Sequence, residues 1–144
     1  MHTHIKNIFF AITVFVSVFW VSAAPAKAAT TQAVGCYGAS CRGKDPEVMG
    51  CGADARTLAS VSAPGLYRVD LRYSTRCNAR WSRTTLTHAP DWETFAVAYV
   101  GSGSVTSRRG SSRTVWSAMW SGVIKACGGY ETLDGRYVRC TAAR

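Results

Sequence analysis

The sequence predicts a mainly β protein: a single small disulfide-stapled domain, a sandwich or partly open barrel with short helical turns. Three observations carry this. Residues 66–73 alternate with period two, Tyr67, Val69, Leu71 and Tyr73 against Arg68, Asp70 and Arg72, the pattern of a half-buried strand. Turn-forming residues recur at short intervals, so a long helix has little room. All six cysteines, Cys36, Cys41, Cys51, Cys77, Cys127 and Cys140, lie beyond residue 28. In a small exported chain such a set reads as a disulfide framework.

The elements follow in chain order. Lys6, the apolar run over residues 8–21 and the small-x-small triplet Ala26-Lys27-Ala28 predict a secretory leader over residues 1–28, with the mature chain starting at Ala29. The 14-residue apolar run is shorter than the roughly 20 residues that cross a bilayer, and no later stretch is as apolar. Residues 29–35 are expected to be a flexible tail and residues 36–144 a cysteine-rich β domain. Residues 36–46 read as a compact loop, and Asp45-Pro46-Glu47 as the start of a single helical turn with Asp45 capping. Residues 54–59 are read as a strand. Residues 79–84 repeat the alternation, with Trp81 expected inward and Arg80 outward. Residues 92–100 carry apolar groups on both faces, as a central strand does. Residues 101–113 read as a polar basic loop and residues 114–126 as a strand, although Val115, Met119, Val123 and Ala126 also fit helical spacing. Residues 130–139 predict a hairpin around Asp134-Gly135.

Six cysteines allow 15 pairings. Cys127 and Cys140 flank the Asp134-Gly135 turn nearly symmetrically, Cys36 and Cys41 close a tight ring, and Cys51 is left to join Cys77. Zinc is not expected, because the spacings lack a paired short-gap knuckle and His88 is the sole histidine beyond the leader. No cofactor is expected.

The segment Cys36-Tyr37-Gly38-Ala39-Ser40-Cys41-Arg42-Gly43-Lys44-Asp45-Pro46, followed by Gly50-Cys51, by Asp54-Ala55-Arg56-Thr57-Leu58, and by residues 71–81 up to Cys77-Asn78-Ala79-Arg80-Trp81, resembles a family of secreted actinobacterial proteins known as domain of unknown function 2690. Members commonly have proline where this chain has Thr75. The resemblance implies secretion, disulfides and a small β-rich domain, and makes Gly43, Lys44, Asp45, Pro46 and Asp54 family-motif residues. It implies no activity.

The formal net charge is +9, and losing Lys6 and Lys27 with the leader leaves +7. Thirteen of the fifteen remaining cations are arginine, whose planar fork suits phosphate and carboxylate. Arg68, Arg72, Arg80 and Arg83 are expected on one exposed sheet face, with Arg108, Arg109 and Arg113 on a loop beside it. Together they form a candidate anion-binding surface. Trp81 and Trp92 are expected in the core, Trp116 and Trp120 as a candidate stacking platform. Lys44-Asp45 has two readings: a recognition tip held by the Cys36–Cys41 ring, or Asp45 as a helix cap with Lys44 as its salt partner. Two catalytic readings are open. His88 with Glu93 suits a ribonuclease-like hydrolase, and Asp91 with Glu93, two apart on a strand, suits an inverting glycosidase. No nucleophile-elbow pattern is present. The sequence therefore predicts a secreted, monomeric, noncatalytic extracellular or envelope-associated module that binds an anionic wall polymer, polysaccharide or nucleic acid. The alternatives are the His88/Glu93 hydrolase and an inhibitor of a secreted enzyme.

Overall fold

A computed structural model describes residues 33–88, 92–101, 103 and 105–144. The leader over 1–28, the start of the 29–35 tail, and Asp91 lie outside the described residues. The rest belongs to one unit, Thr31–Arg144. Among the described residues, eight strands follow one 3-10 turn, Gly38–Cys41: β1 Arg56–Ala63, β2 Tyr67–Ser74, β3 Ala79–Leu86, β4 Glu93–Val100, β5 Val105–Gly110, β6 Thr114–Trp116, β7 Val123–Thr132 and β8 Gly135–Cys140. They form two antiparallel sheets, ordered β1-β2-β3-β6 and β5-β4-β7-β8. The fold is thus a mainly β sandwich of two open sheets, not a closed barrel.

Register explains the core. Tyr67, Val69 and Leu71 of β2 stand opposite Leu86, Thr84 and Ser82 of β3, so these six share the inner face. They meet Ala98, Val100, Val123, Ala126 and Tyr130 from the other sheet. The sheets approach closely where Ser82 Oγ donates across the gap to the Cys127 carbonyl, 2.9 Å. Beside it, Gly128 leaves room for Thr84: a Cβ there would stand 1.8 Å from Thr84 Oγ1. Gly128 is therefore a close-approach position that no side chain can share.

The sulfurs pair as Cys36–Cys41, Cys51–Cys77 and Cys127–Cys140, and Cys127 and Cys140 are direct register partners on β7 and β8. The first two disulfides build a second core with Ala79, Trp81 and Met119, and this core alters the expected faces. Because Arg72 is opposite Trp81 and Asp70 opposite Arg83, Trp81 lies on the outer face with Arg72, Asp70 and Arg83. It is buried there, 1% exposed, beneath the cystine loops. Arg80 lies on the inner side instead, at the sandwich end, where Nη1 donates to the carbonyls of Val123 (3.0 Å) and Arg144 (3.2 Å). Burial thus identified a core tryptophan but not its face, since an extra layer buries part of the outer surface.

Other expectations shift too. Residues 101–113 are not all loop: Val105–Gly110 pairs with β4 from Thr94↔Gly110 to Tyr99↔Val105, an edge strand held by backbone bonds and needing no apolar face of its own. Residues 114–126 contain no helix; β6 is three residues long, Trp120 bridges Arg80, and β7 begins at Val123. The terminal hairpin turns at Leu133-Asp134, with Gly135 already paired to Thr132. Asp70 was expected in solvent and is 1% exposed. Trp92 was expected in the core and is 41% exposed, stacked on Tyr130 at 4.5 Å. The tail's end is docked, since Gly35 N–H donates to the Met49 carbonyl at 3.0 Å and Val34 packs against the cystine core.

Candidate functional site

The family-motif residues tie the cystine layer to the sandwich. Asp45 Oδ1 accepts the N–H of Glu47 (2.9 Å) and Val48 (3.2 Å), an N-cap for the turn that follows. Its Oδ2 accepts the Trp116 indole N–H at 3.1 Å and pairs with Arg108 at 2.5 Å. The salt partner is therefore Arg108, not Lys44. Burial pushes the Asp45 carboxyl up, but these hydrogen bonds and the Arg108 charge outweigh it and hold the group below its usual value. Gly43 N–H donates to the Met119 carbonyl, and Met119 N–H to the Lys44 carbonyl. Pro46 is buried and its carbonyl accepts Cys51 N–H at 2.8 Å. Asp54 takes the Ser74 hydroxyl at 2.5 Å and the Arg76 N–H at 2.9 Å. Each contact is internal, so the motif acts as a fastening.

The arginines divide sharply. Arg72 reaches under the cystine layer to the Ala55 carbonyl (2.6 Å) and Thr57 Oγ1 (2.8 Å), and burial lowers its pKa. Arg80 is turned to the sandwich end. Arg108 holds Asp45, and Arg109 bridges Glu93 and Glu131. Three remain together: Arg68, Arg83 and Arg113 line one open groove with Ser62, Thr85 and Thr87 around the β1–β2 turn.

One buried carboxylate organises that groove. Asp70 accepts Arg68 Nε at 2.7 Å, Arg83 Nη2 at 2.8 Å and the Ser60 hydroxyl at 2.6 Å. Burial raises the Asp70 pKa, but the bonds from Ser60, Arg83 and Arg68 and the Arg68 charge prevail and lower it. Arg113 is aimed by the Leu86 carbonyl, 2.8 Å from Nε, and by the Thr87 carbonyl. Three guanidinium charges against one carboxylate leave the groove positive by two. Arg83 Nε is also buried and has no acceptor among the described residues, a donor whose unmet bond is costly.

Residues 39–129 match the family model described as "Protein of unknown function (DUF2690)". The chain belongs to the DUF2690 family. The DUF2690 match starts inside the first cystine ring and runs to Gly129 on β7, so it takes in every groove arginine and all the motif residues. No curated protein and no solved structure matches the chain.

The remaining candidates are dispersed. Trp116 and Trp120 are half-buried, and no ring contact joins them among the described residues; Trp116 is held by Asp45, and the Arg42 guanidinium lies 4.1 Å from the Trp120 ring centre. His88 is exposed, and no hydrogen bond joins it to Glu93 among the described residues; Glu93 instead meets Arg109. The pairing of Asp91 with Glu93 lies outside the described residues. Sequence reading missed Asp70 as the organiser. The i, i+2 spacing of Arg68 and Asp70 was a usable signal, because such residues share a strand face; bringing in Arg83 required register.

Proposed function

We propose that this DUF2690 domain is a noncatalytic extracellular or envelope-associated module that seats an anionic partner in the groove of Arg68, Arg83 and Arg113. The convergence of three arginines on one recess carries this reading. Guanidinium forks already aimed by Asp70 and by two carbonyls lose little freedom on gripping a phosphate or carboxylate, and Ser62, Thr85 and Thr87 add hydroxyl donors. Wall polymers, acidic polysaccharides and nucleic acids share this chemistry. Export on a leader over residues 1–28, a tail over 29–35 and a monomeric domain over 36–144 complete the proposal. Three disulfides support it, and among the described residues no helix is long and apolar enough to cross a membrane.

Retention on an immobilised polyanion across a salt series tests the reading. Retention should fall steeply with salt, and the double variant Arg68→Gln/Arg113→Gln should elute earlier, with a log–log slope shallower by about one for each lost phosphate contact. Arg109→Gln removes one charge from the opposite sheet and should change elution far less than Arg68→Gln or Arg113→Gln alone. Equal shifts for a single groove variant and Arg109→Gln would reduce the effect to bulk charge and defeat the proposal.

A further inference from the structure

Four of the six sulfurs form one cluster. Those of Cys36, Cys41, Cys51 and Cys77 all lie within 4.8 Å of one another and all four residues are buried. They come from three stretches: Cys36 and Cys41 around the 3-10 turn, Cys51 in the turn after Asp45, and Cys77 in the β2–β3 turn. Cys36 Sγ and Cys51 Sγ belong to different disulfides and stand 4.0 Å apart. A tetrahedral ion with metal–sulfur bonds of about 2.3 Å holds its sulfurs about 3.8 Å apart, which fits inside that envelope. The backbone turns already bring the four sulfurs together at one point. Ala79, Trp81 and Met119 wall the cluster, so it has the closed character of a structural metal site. The third disulfide packs with Phe95 and Val97 on the other sheet and takes no part.

We propose that the reduced chain binds one soft divalent ion, of the Zn(II) class, through the four thiolates of Cys36, Cys41, Cys51 and Cys77, and that this site and the two disulfides are alternative states of the same sulfurs. Reduction of the two S–S bonds takes four electrons and four protons from two equivalents of a dithiol, each oxidised to a cyclic disulfide. The ion then displaces the four thiol protons. Oxidation by two equivalents of a disulfide re-forms both S–S bonds and expels the ion. The complex carries two negative charges. Spacing along the chain hid this site, since no short-gap knuckle is present; the fold assembles one from three turns. The inference does not depend on the arginine groove.

The test uses the whole chain, reduced anaerobically with a dithiol that is then removed, and titrated with Co(II). One ion per chain should bind, with the visible absorption of a tetrahedral cobalt tetrathiolate that Zn(II) then abolishes. Alkylation of the Zn(II)-loaded chain, read by peptide mass, should leave Cys36, Cys41, Cys51 and Cys77 unmodified while the exposed Cys140 reacts. Metal binding couples to folding at such sites, so a reduced chain that unfolds without the ion should still give this map once loaded. Protection spread evenly over all six thiols, absence of the cobalt spectrum, or undiminished binding by Cys51→Ser/Cys77→Ser each overturns the proposal.

Discussion

Replacing Asp70 by Asn keeps the side-chain shape and removes one charge from the centre of the groove. The carboxylate is 2% exposed and its two guanidinium contacts are 2.7 and 2.8 Å. At an effective dielectric constant of about 20, each pair is worth up to about 4 kcal/mol before desolvation. Arg68 is 54% and Arg83 35% exposed, so solvent screens both, and the net loss should be about 2–4 kcal/mol. For a domain of this size that lowers Tm by about 10 °C. The pH dependence gives an internal control. The folded Asp70 pKa lies below the ordinary 3.8, so its stabilisation is complete above that value and falls by about 1.4 kcal/mol per pH unit as pH drops from 3.8 toward the folded value. Urea unfolding of wild type and Asp70→Asn, with disulfides intact, should therefore show a gap at pH 7 that narrows by about pH 2. A gap equally wide at both pH values would mean that the carboxylate charge does not stabilise the fold.

Two further perturbations test the architecture. Gly128→Ala would force a Cβ to 1.8 Å from Thr84 Oγ1 and 2.8 Å from the Phe95 carbonyl. Overpacking of that severity should cost about 3 kcal/mol or more, partly recovered by adding Thr84→Ala; a Tm matching wild type would show that the sheets are not so close. Asp45→Ala removes a two-bond N-cap and the acceptor for Trp116. It should cost about 2 kcal/mol in urea titration, whereas Arg108→Ala, which removes a 48% exposed partner, should cost under about 1 kcal/mol. The reverse ranking would make Asp45 an ion-pair residue first and a fastening second.

Much of the fold was legible because strand alternation and cystine spacing are local signals. The β2–β3 hairpin, the interior position of β4 and the Cys36–Cys41 and Cys127–Cys140 pairings follow from residues close in the chain or flanking a recognisable turn, and Cys51–Cys77 is what remains. The errors share one cause. Trp81 and Asp70 are buried on a face that alternation assigns to solvent, because the cystine layer covers Trp81 and arginine side chains cover Asp70. β5 was missed because an edge strand can be polar on both faces and is defined by its partner's backbone. Arg72, Arg80, Arg108 and Arg109 left the candidate surface because their acceptors hold them outside the groove, whereas those of Arg68, Arg83 and Arg113 hold them along it.

By itself, the sequence determined the mainly β fold class and a strong excess of arginine, since periodicity, turn chemistry and charge are properties of neighbouring residues; among 15 possible cysteine pairings it suggested the one that the structure forms. Only the tertiary structure decided which arginines share a groove, which carboxylate aims them, and that four sulfurs from three turns meet at one point. Those outcomes depend on register and on the layer folded over the outer face, and both are fixed by contacts between residues far apart in the chain.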